Sequence, residues 1–176
     1  NFFRLWKLKN KKVATTSNLF TNLQKLYHIQ YDSKQPTLNI GGDHSMAIAT
    51  VSHTLNVYPE AKIIWFDAHP DINTWETSST KNYHGMPLAF LSGLDEDNRF
   101  NFLKNKLPLE NLLYVGIRDI DNYEREVIEK YKVKWISVTE ANLQTEETIE
   151  KIQNFIQDSP IHISFDVDSL DPEVFE

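Results

Sequence analysis

Acidic and imidazole side chains recur in this sequence at short, regular intervals. Asp67, His69 and Asp71 alternate with other residues, and Asp166 and Asp168 repeat the same two-residue spacing. In an extended segment, residues two apart point to the same side. Carboxylates and imidazoles are common ligands of divalent metal ions. The spacing therefore predicts a metal site to which both groups contribute.

His44 follows a third apolar segment and can complete this set. Four carboxylates and two imidazoles can hold two divalent ions, because the four negative charges balance the four positive ones. Oxygen donors dominate and the chain has no cysteine, which favours manganese over structural zinc and leaves cobalt, nickel or iron as alternatives. Two such ions can share a water molecule and make it nucleophilic near neutral pH.

Apolar runs precede these motifs and predict the elements that position them. Their β-branched and aromatic residues favour buried strands; the runs are Thr37–Ile40, Ile63–Asp67, Leu112–Ile117, Val133–Val138 and Ile161–Val167. Helical spacing of apolar residues lies between them, at 19–27, 46–55, 123–131 and 145–156, the last with Thr145 as its expected N-cap.

This alternation predicts an α/β fold with a mostly parallel sheet and helices on both faces. Ligands of open parallel sheets bind beyond the carboxyl ends of the strands. Four of the five runs lead into acids or histidines, so we expect these side chains to meet at that edge.

Composition narrows the classes of function. The chain has 176 residues, 40% of them hydrophobic, which fits a single domain with a real core. Its net charge of −7 and the lack of a Lys/Arg-rich block argue against nucleic acid as a partner. No apolar run approaches the roughly 20 residues that span a bilayer, so we expect no membrane partner. The absence of cysteine excludes disulfides and thiolate metal sites.

Three motifs resemble the metal-binding motifs of the ureohydrolase superfamily. They are Gly-Gly-Asp-His-Ser at 41–45, Asp-Ala-His-Pro-Asp-Ile-Asn at 67–73 and Ser-Phe-Asp-Val-Asp-Ser-Leu-Asp-Pro at 164–172. The resemblance implies two Mn²⁺ per subunit, bound by His44, Asp67, His69, Asp71, Asp166 and Asp168. It also implies a three-layer αβα, arginase-like catalytic domain, of which residues 1–176 would be an incomplete part, truncated at the C-terminus.

Two further segments resemble those with which arginases hold the amino-acid end of L-arginine. By this resemblance Asn73, Ser78 and Asn82 face the α-carboxylate, while Asp121 and Glu124 accept the α-ammonium. Amide and hydroxyl donors suit a carboxylate, and acids suit an ammonium. Two alternatives stay open: Ser78 as an ordinary loop residue, and Asp121 as a helix N-cap.

His84 resembles the histidine to which the family assigns proton transfer, and with Asp71 it forms the expected catalytic pair. The implied reaction is hydrolysis of L-arginine to L-ornithine and urea, as in arginine metabolism and the urea cycle. Trp75 stands where the family commonly has proline, and Lys81 where it commonly has glycine.

The resemblance further implies a homo-oligomer located in the cytoplasm, with a mitochondrial location left open. The alternative functions are an agmatinase-like or other amidinohydrolase of the same superfamily, and a catalytically silent metal-binding homologue.

Overall fold

A four-stranded parallel sheet forms the centre of the fold. The computed structural model describes residues 18–30 and 36–171. The strands are β1 (Lys62–Phe66), β2 (Leu112–Ile117), β3 (Lys134–Ser137) and β4 (Ile161–Phe165), in the order β3-β2-β1-β4 with every neighbouring pair parallel. The predicted α/β class with a parallel sheet is therefore confirmed.

Helices cover both faces of this sheet. They are α1 (Leu19–Gln30), α2 (Met46–Val57), α3 (Pro87–Ser92), α4 (Asn122–Tyr131), α5 (Val138–Leu143) and α6 (Thr145–Ile156). Among the described residues, no helix has the length and apolar character needed to cross a membrane.

Alternation along β1 divides the core between two layers. Ile63 and Trp65 are fully buried in the cluster that contains residues of α2, α3 and α4. Ile64 belongs to a second cluster, with Phe155 of α6 and partly buried residues of α5. Side chains of successive strand residues point to opposite faces, so these clusters are the two sides of a three-layer αβα arrangement. Helix α1 packs outside α2 through a third cluster that includes Leu23.

Most of the predicted elements are present, with two corrections. Thr37–Ile40 is not a strand, and Leu38 and Ile40 are 70% and 83% exposed. Apolar residue type predicts a tendency to be buried, whereas a strand also needs a neighbour, and the two sides of β1 are taken by β2 and β4. Thr145 is the first residue of α6, and its N-cap position is Gln144. Helices α3 and α5 are elements that the apolar spacing did not predict.

The carboxyl ends of β1 and β2 are tied together beside the candidate site. The carbonyl oxygen of Ala68 accepts the backbone N–H groups of Arg118 at 2.8 Å and Asp119 at 3.0 Å. Gly116 precedes this contact with φ +90°, a conformation that L side chains rarely adopt, at a register irregularity between Val115 and Ile117. This backbone conformation, at an irregularity in the pairing of β2 with β3, favours glycine at position 116.

Candidate metal centre and substrate loop

His44 lies at the centre of the first group of candidate ligands. Its Nδ1 is 2.9 Å from Asp67 Oδ2, 2.9 Å from Asp71 Oδ2 and 3.3 Å from Asp166 Oδ2. The imidazole stacks on Trp65, with ring centroids 4.1 Å apart, and its Nε2 is 2.7 Å from the hydroxyl oxygen of Ser164. The stacking on Trp65 and the contact of Nε2 with Ser164 together orient the ring so that Nδ1 faces the carboxylates.

The Nδ1 atom of His44 is buried, yet it makes no hydrogen bond to any of the residues that the structure describes. Three carboxylate oxygens lie 2.9–3.3 Å from it. Ligand atoms that lie about 2.1 Å from a shared ion are themselves about 3 Å apart, which matches these separations. Buried polar atoms without hydrogen bonds are rare in proteins, and a bound cation would satisfy this one.

A second group of candidate ligands shares Asp67 with the first. His69 Nδ1 is 3.1 Å from Asp168 Oδ2 and 3.5 Å from Asp67 Oδ1. Asp67 thus turns Oδ2 towards His44 and Oδ1 towards His69. All six predicted ligands therefore lie together at the carboxyl edge of the sheet. The donors are carboxylate oxygens and imidazole nitrogens, which fit divalent ions of the manganese type.

Charge in the first group favours bound cations. Burial lowers the pKa of His44, but the neighbouring carboxylates of Asp67 and Asp71 outweigh that effect and raise it from 6.5 to about 9. Burial raises the pKa of Asp71 from 3.8 to about 7; the Asp67 charge adds to this rise, while His44 opposes it. Both shifts have the direction expected where carboxylates crowd together and attract positive charge.

Backbone N–H groups orient the carboxylates. His69 N donates to Asp67 Oδ1 at 2.8 Å, and Ala68 N donates to Asp168 Oδ1 at 3.1 Å. Asp168 N donates to Asp166 Oδ1, also at 3.1 Å. The bond from Ala68 to Asp168 joins the segments that follow β1 and β4, while the other two orient carboxylates within each segment.

Three residues around the ligands were not predicted from the sequence. Trp65 Nε1 donates to Asp67 Oδ2 at 3.0 Å, and Ser164 contacts His44. The guanidinium of Arg118 donates to the carbonyl oxygens of Asp168 at 2.6 Å and Ser169 at 3.3 Å. Trp65 and Ser164 each precede a ligand by two residues, and this spacing was the signal that could have identified them.

The two predicted substrate segments meet at Asn73 and Asp121, where Asn73 Nδ2 donates to Asp121 Oδ2 at 2.9 Å. Asp121 is also the N-cap residue of α4, so the alternative role that the sequence left open is real. Glu124 is only 4% exposed, and its two oxygens accept the N–H groups of Ile72 and Asp121, each at 3.1 Å.

The other predicted substrate residues lie along the loop that follows Asn73. Ser78 is buried, and its Oγ accepts the N–H of Lys81 at 3.0 Å. Asn82 is exposed, and so is His84, which lies on the 3-10 turn Tyr83–Gly85 at the end of the loop. The loop therefore begins two residues after the ligand Asp71 and ends at the predicted proton-transfer residue.

Comparisons with known proteins agree with this geometry. The sequence pattern of the Arginase family matches residues 4–176. The chain is 42% identical over 150 residues to the arginase of Glaciozyma antarctica, covering 80% of this chain and 43% of that protein. It is 37% identical over 175 residues to the arginase of Coccidioides immitis, covering 93% of this chain and 54% of that protein. The chain thus spans about half the length of these curated relatives.

Solved structures give the same result. A crystal structure of Entamoeba histolytica arginase in complex with L-ornithine superposes with a TM-score of 0.78 at 35% identity, covering 88% of this chain and 54% of that one. Arginase from Bacillus subtilis gives a TM-score of 0.82 at 33% identity, covering 94% of this chain and 61% of that one. The resemblance inferred from the three motifs is confirmed, and the chain belongs to the arginase family.

Proposed function

We propose that this protein uses two manganese ions to hydrolyse the guanidinium group of L-arginine to L-ornithine and urea. The proposal rests mainly on Asp67, whose two oxygens face two different imidazole nitrogens, at 2.9 Å for His44 and 3.5 Å for His69. Asp67 would therefore contribute to holding both ions. When bound, a pair of divalent ions supplies Lewis acidity and lowers the pKa of water to near neutrality.

The contacts support a division of these ligands between the two proposed ions. His44, Asp71 and Asp166 surround the buried position, while His69 and Asp168 lie at the more exposed one. Four carboxylates compensate the charge of two divalent ions, and the absence of thiolates favours manganese over structural zinc.

The pairing of Asn73 with Asp121 supports an α-amino acid as substrate. The α-carboxylate and α-ammonium of an amino acid are attached to one carbon, so a donor for the first and an acceptor for the second must be neighbours. Asn73 Nδ2 and Asp121 Oδ2 are 2.9 Å apart. Agmatine has no carboxylate and would leave Asn73 and Asn82 without that partner. Polar groups left unpaired by the wrong ligand cost about 1–3 kcal/mol each.

Asp71 and His84 are the proposed proton carriers. Asp71 lies at the metal-binding end of the loop and His84 at its other end, on an exposed turn. A histidine can gain and lose a proton near neutral pH, which suits transfer of a proton from Asp71 to the leaving amine. Ser78 and Glu124 complete the proposed substrate set: Ser78 retains a hydroxyl proton to donate, and Glu124 accepts the N–H of Asp121 and so helps to position that acceptor near the ammonium.

The test compares kcat/KM for arginine and agmatine on the wild-type protein and Asn82→Ala, with urea release as the assay. We expect the wild type to prefer arginine, and Asn82→Ala to raise KM for arginine and narrow the preference while its manganese content stays the same. Asn142→Ala, an exposed asparagine on α5, is the matched control. A wild type that prefers agmatine would support the agmatinase-like alternative, and metal binding without turnover of either substrate would support the silent homologue.

A further inference from the structure

The loop between Asn73 and Asn82 is closed by the side chain of Lys81. The Nζ of Lys81 donates to the carbonyl oxygen of Trp75 and, at 3.3 Å, to that of Glu76. The same ammonium lies 5.8 Å from the centroid of the Trp75 ring. A cation at this distance over an indole ring is attracted to it. The donors of Lys81 are thus directed at the start of its own loop.

The backbone of Lys81 makes this return possible. Its φ is +59°, in the left-handed region that favours glycine and that costs other residues conformational energy. Lys81 N donates to Ser78 Oγ at 3.0 Å, and Ser78 N donates to the carbonyl oxygen of Thr74 at 2.9 Å. The strained residue therefore fixes the buried Ser78 through its backbone and the loop's entry through its side chain.

Trp75 anchors the same loop to the rest of the protein. Its backbone N–H donates to Asp95 Oδ2 at 2.5 Å. Its ring lies 5.9 Å from that of Tyr83, which in turn stacks 5.7 Å from the buried Phe90 of α3. Because Tyr83 directly precedes His84, this packing connects the start of the loop to its end. Lys81 and Trp75 are also the two loop positions at which the sequence departs from the arginase pattern.

We infer that Lys81 and Trp75 form a loop brace, a pair of positioning residues that holds the substrate-facing part of the loop in its binding conformation. Its effect on substrate binding rests on the proposed function, because that function identifies the loop as the part that meets the substrate. The competing interpretation is that the Lys81 ammonium attracts the α-carboxylate directly. In the structure, its donors already bond to Trp75 and Glu76, which favours the brace.

Three substitutions separate the two interpretations. Lys81→Met keeps the length of the side chain but removes its donors, whereas Lys81→Gln removes the charge and keeps an amide donor. Both retain an L side chain at φ +59°, so backbone strain is the same in each. Lys104→Met, an exposed lysine outside the loop, is the control and should match the wild type in every measurement.

For Lys81→Met we expect faster amide hydrogen exchange at Trp75, at Ser78 and at position 81. The backbone N–H groups of these three residues are hydrogen-bonded in the wild-type loop. We also expect KM for arginine to rise roughly threefold to tenfold, the equivalent of one net hydrogen bond, with little change in kcat. Lys81→Gln should lie nearer to the wild type in both measurements. The brace would be overturned in favour of charge attraction if KM for arginine rose equally in the two variants while amide hydrogen exchange stayed unchanged in both.

The exchange measurement needs no activity, so it keeps the two proposals distinguishable. If the wild type releases no urea from arginine, the proposed function fails, and the exchange rates of Lys81→Met still test the brace. If the wild type is active and Lys81→Met exchanges like the wild type with an unchanged KM, the brace alone is refuted.

Discussion

The buried Glu124 allows a test of how burial changes the pKa of a carboxyl group and, through it, the stability of the protein. It is 4% exposed, and burial raises its pKa from 4.5 to about 7, although hydrogen bonds from the N–H groups of Asp121 and Ile72 act in the opposite direction. Raising the pKa from 4.5 to about 7 makes ionisation of Glu124 less favourable in the folded state by roughly 3 kcal/mol.

The sign of the resulting pH dependence follows from proton binding. Between pH 4.5 and about 7 the folded state binds more protons at Glu124 than the unfolded state does. The contribution of this group to stability is therefore complete below pH 4.5 and is lost as pH rises through the folded pKa of about 7.

The glutamine of Glu124→Gln cannot ionise, so the variant should not lose stability at this position as pH rises. Its amide offers one good acceptor to two backbone N–H donors, which should cost about 1–3 kcal/mol at every pH. We expect the variant to be less stable than the wild type near pH 5. The difference should shrink or reverse by pH 8.5, changing by up to roughly 3 kcal/mol in total.

The measurement is the free energy of unfolding by denaturant, across pH 4.5–8.5, in the presence of a metal chelator. Glu129→Gln makes the same charge change at an exposed position of the same helix and serves as the control. A difference between wild type and Glu124→Gln that stays constant with pH would show that folding leaves the pKa of Glu124 unchanged, and the reasoning from burial would then be wrong.

Other predictions concern the ligands and their surroundings. Arg118→Ala removes the donors to the carbonyl oxygens of Asp168 and Ser169, so manganese affinity measured by calorimetry should fall roughly 10–100-fold, with partial recovery in Arg118→Lys; unchanged affinity would show the contact to be dispensable. His84→Asn should bind both ions while kcat falls about 10²–10⁴-fold; unchanged turnover across the pH range would leave His84 a structural role. Asp166→Ala should lose at least one ion by elemental analysis, and full metal content would contradict the ligand assignment.

The cluster of candidate ligands was predictable because its signal is local. A two-residue spacing at the end of an apolar run determines which way Asp67 and His69 point, and a parallel sheet brings such ends to one edge. The same reasoning identified Asp166 and Asp168 on a strand that is distant in sequence. Residue type, spacing and strand direction are therefore enough to predict that these acidic and imidazole side chains cluster before the order of the strands is known.

Contacts that depend on strand order could not be predicted in this way. Ser164 meets His44 only because β4, the last strand in sequence, lies next to β1. Arg118 reaches Asp168 for a related reason, since the segments that follow β2 and β4 both lie beside the end of β1. The failed strand at Thr37–Ile40 has the same origin: apolar sequence predicts burial but carries no information about which neighbour is available.

Asp71 connects the metal centre to the substrate loop, and its backbone is strained. Its φ is +51°, a left-handed value that a non-glycine residue adopts at a cost of about 1–2 kcal/mol. Two hydrogen bonds hold the segment there: Leu88 N donates to Asp71 O at 3.0 Å, and Ile72 N donates to Glu124 at 3.1 Å. Strain of this kind persists where surrounding contacts enforce it, and it is concentrated at functional sites.

The consequence of this strain is geometric. Turning the chain at Asp71 lets one carboxylate face His44 while Asn73, two residues later, reaches Asp121. The ends of the site that would bind the guanidinium and the amino acid are therefore linked by a single short backbone segment. Hydrogen bonds from Ile72 to Glu124 and from Leu88 of α3 to Asp71 hold that segment, so contacts within the folded chain help to set the separation between the two ends.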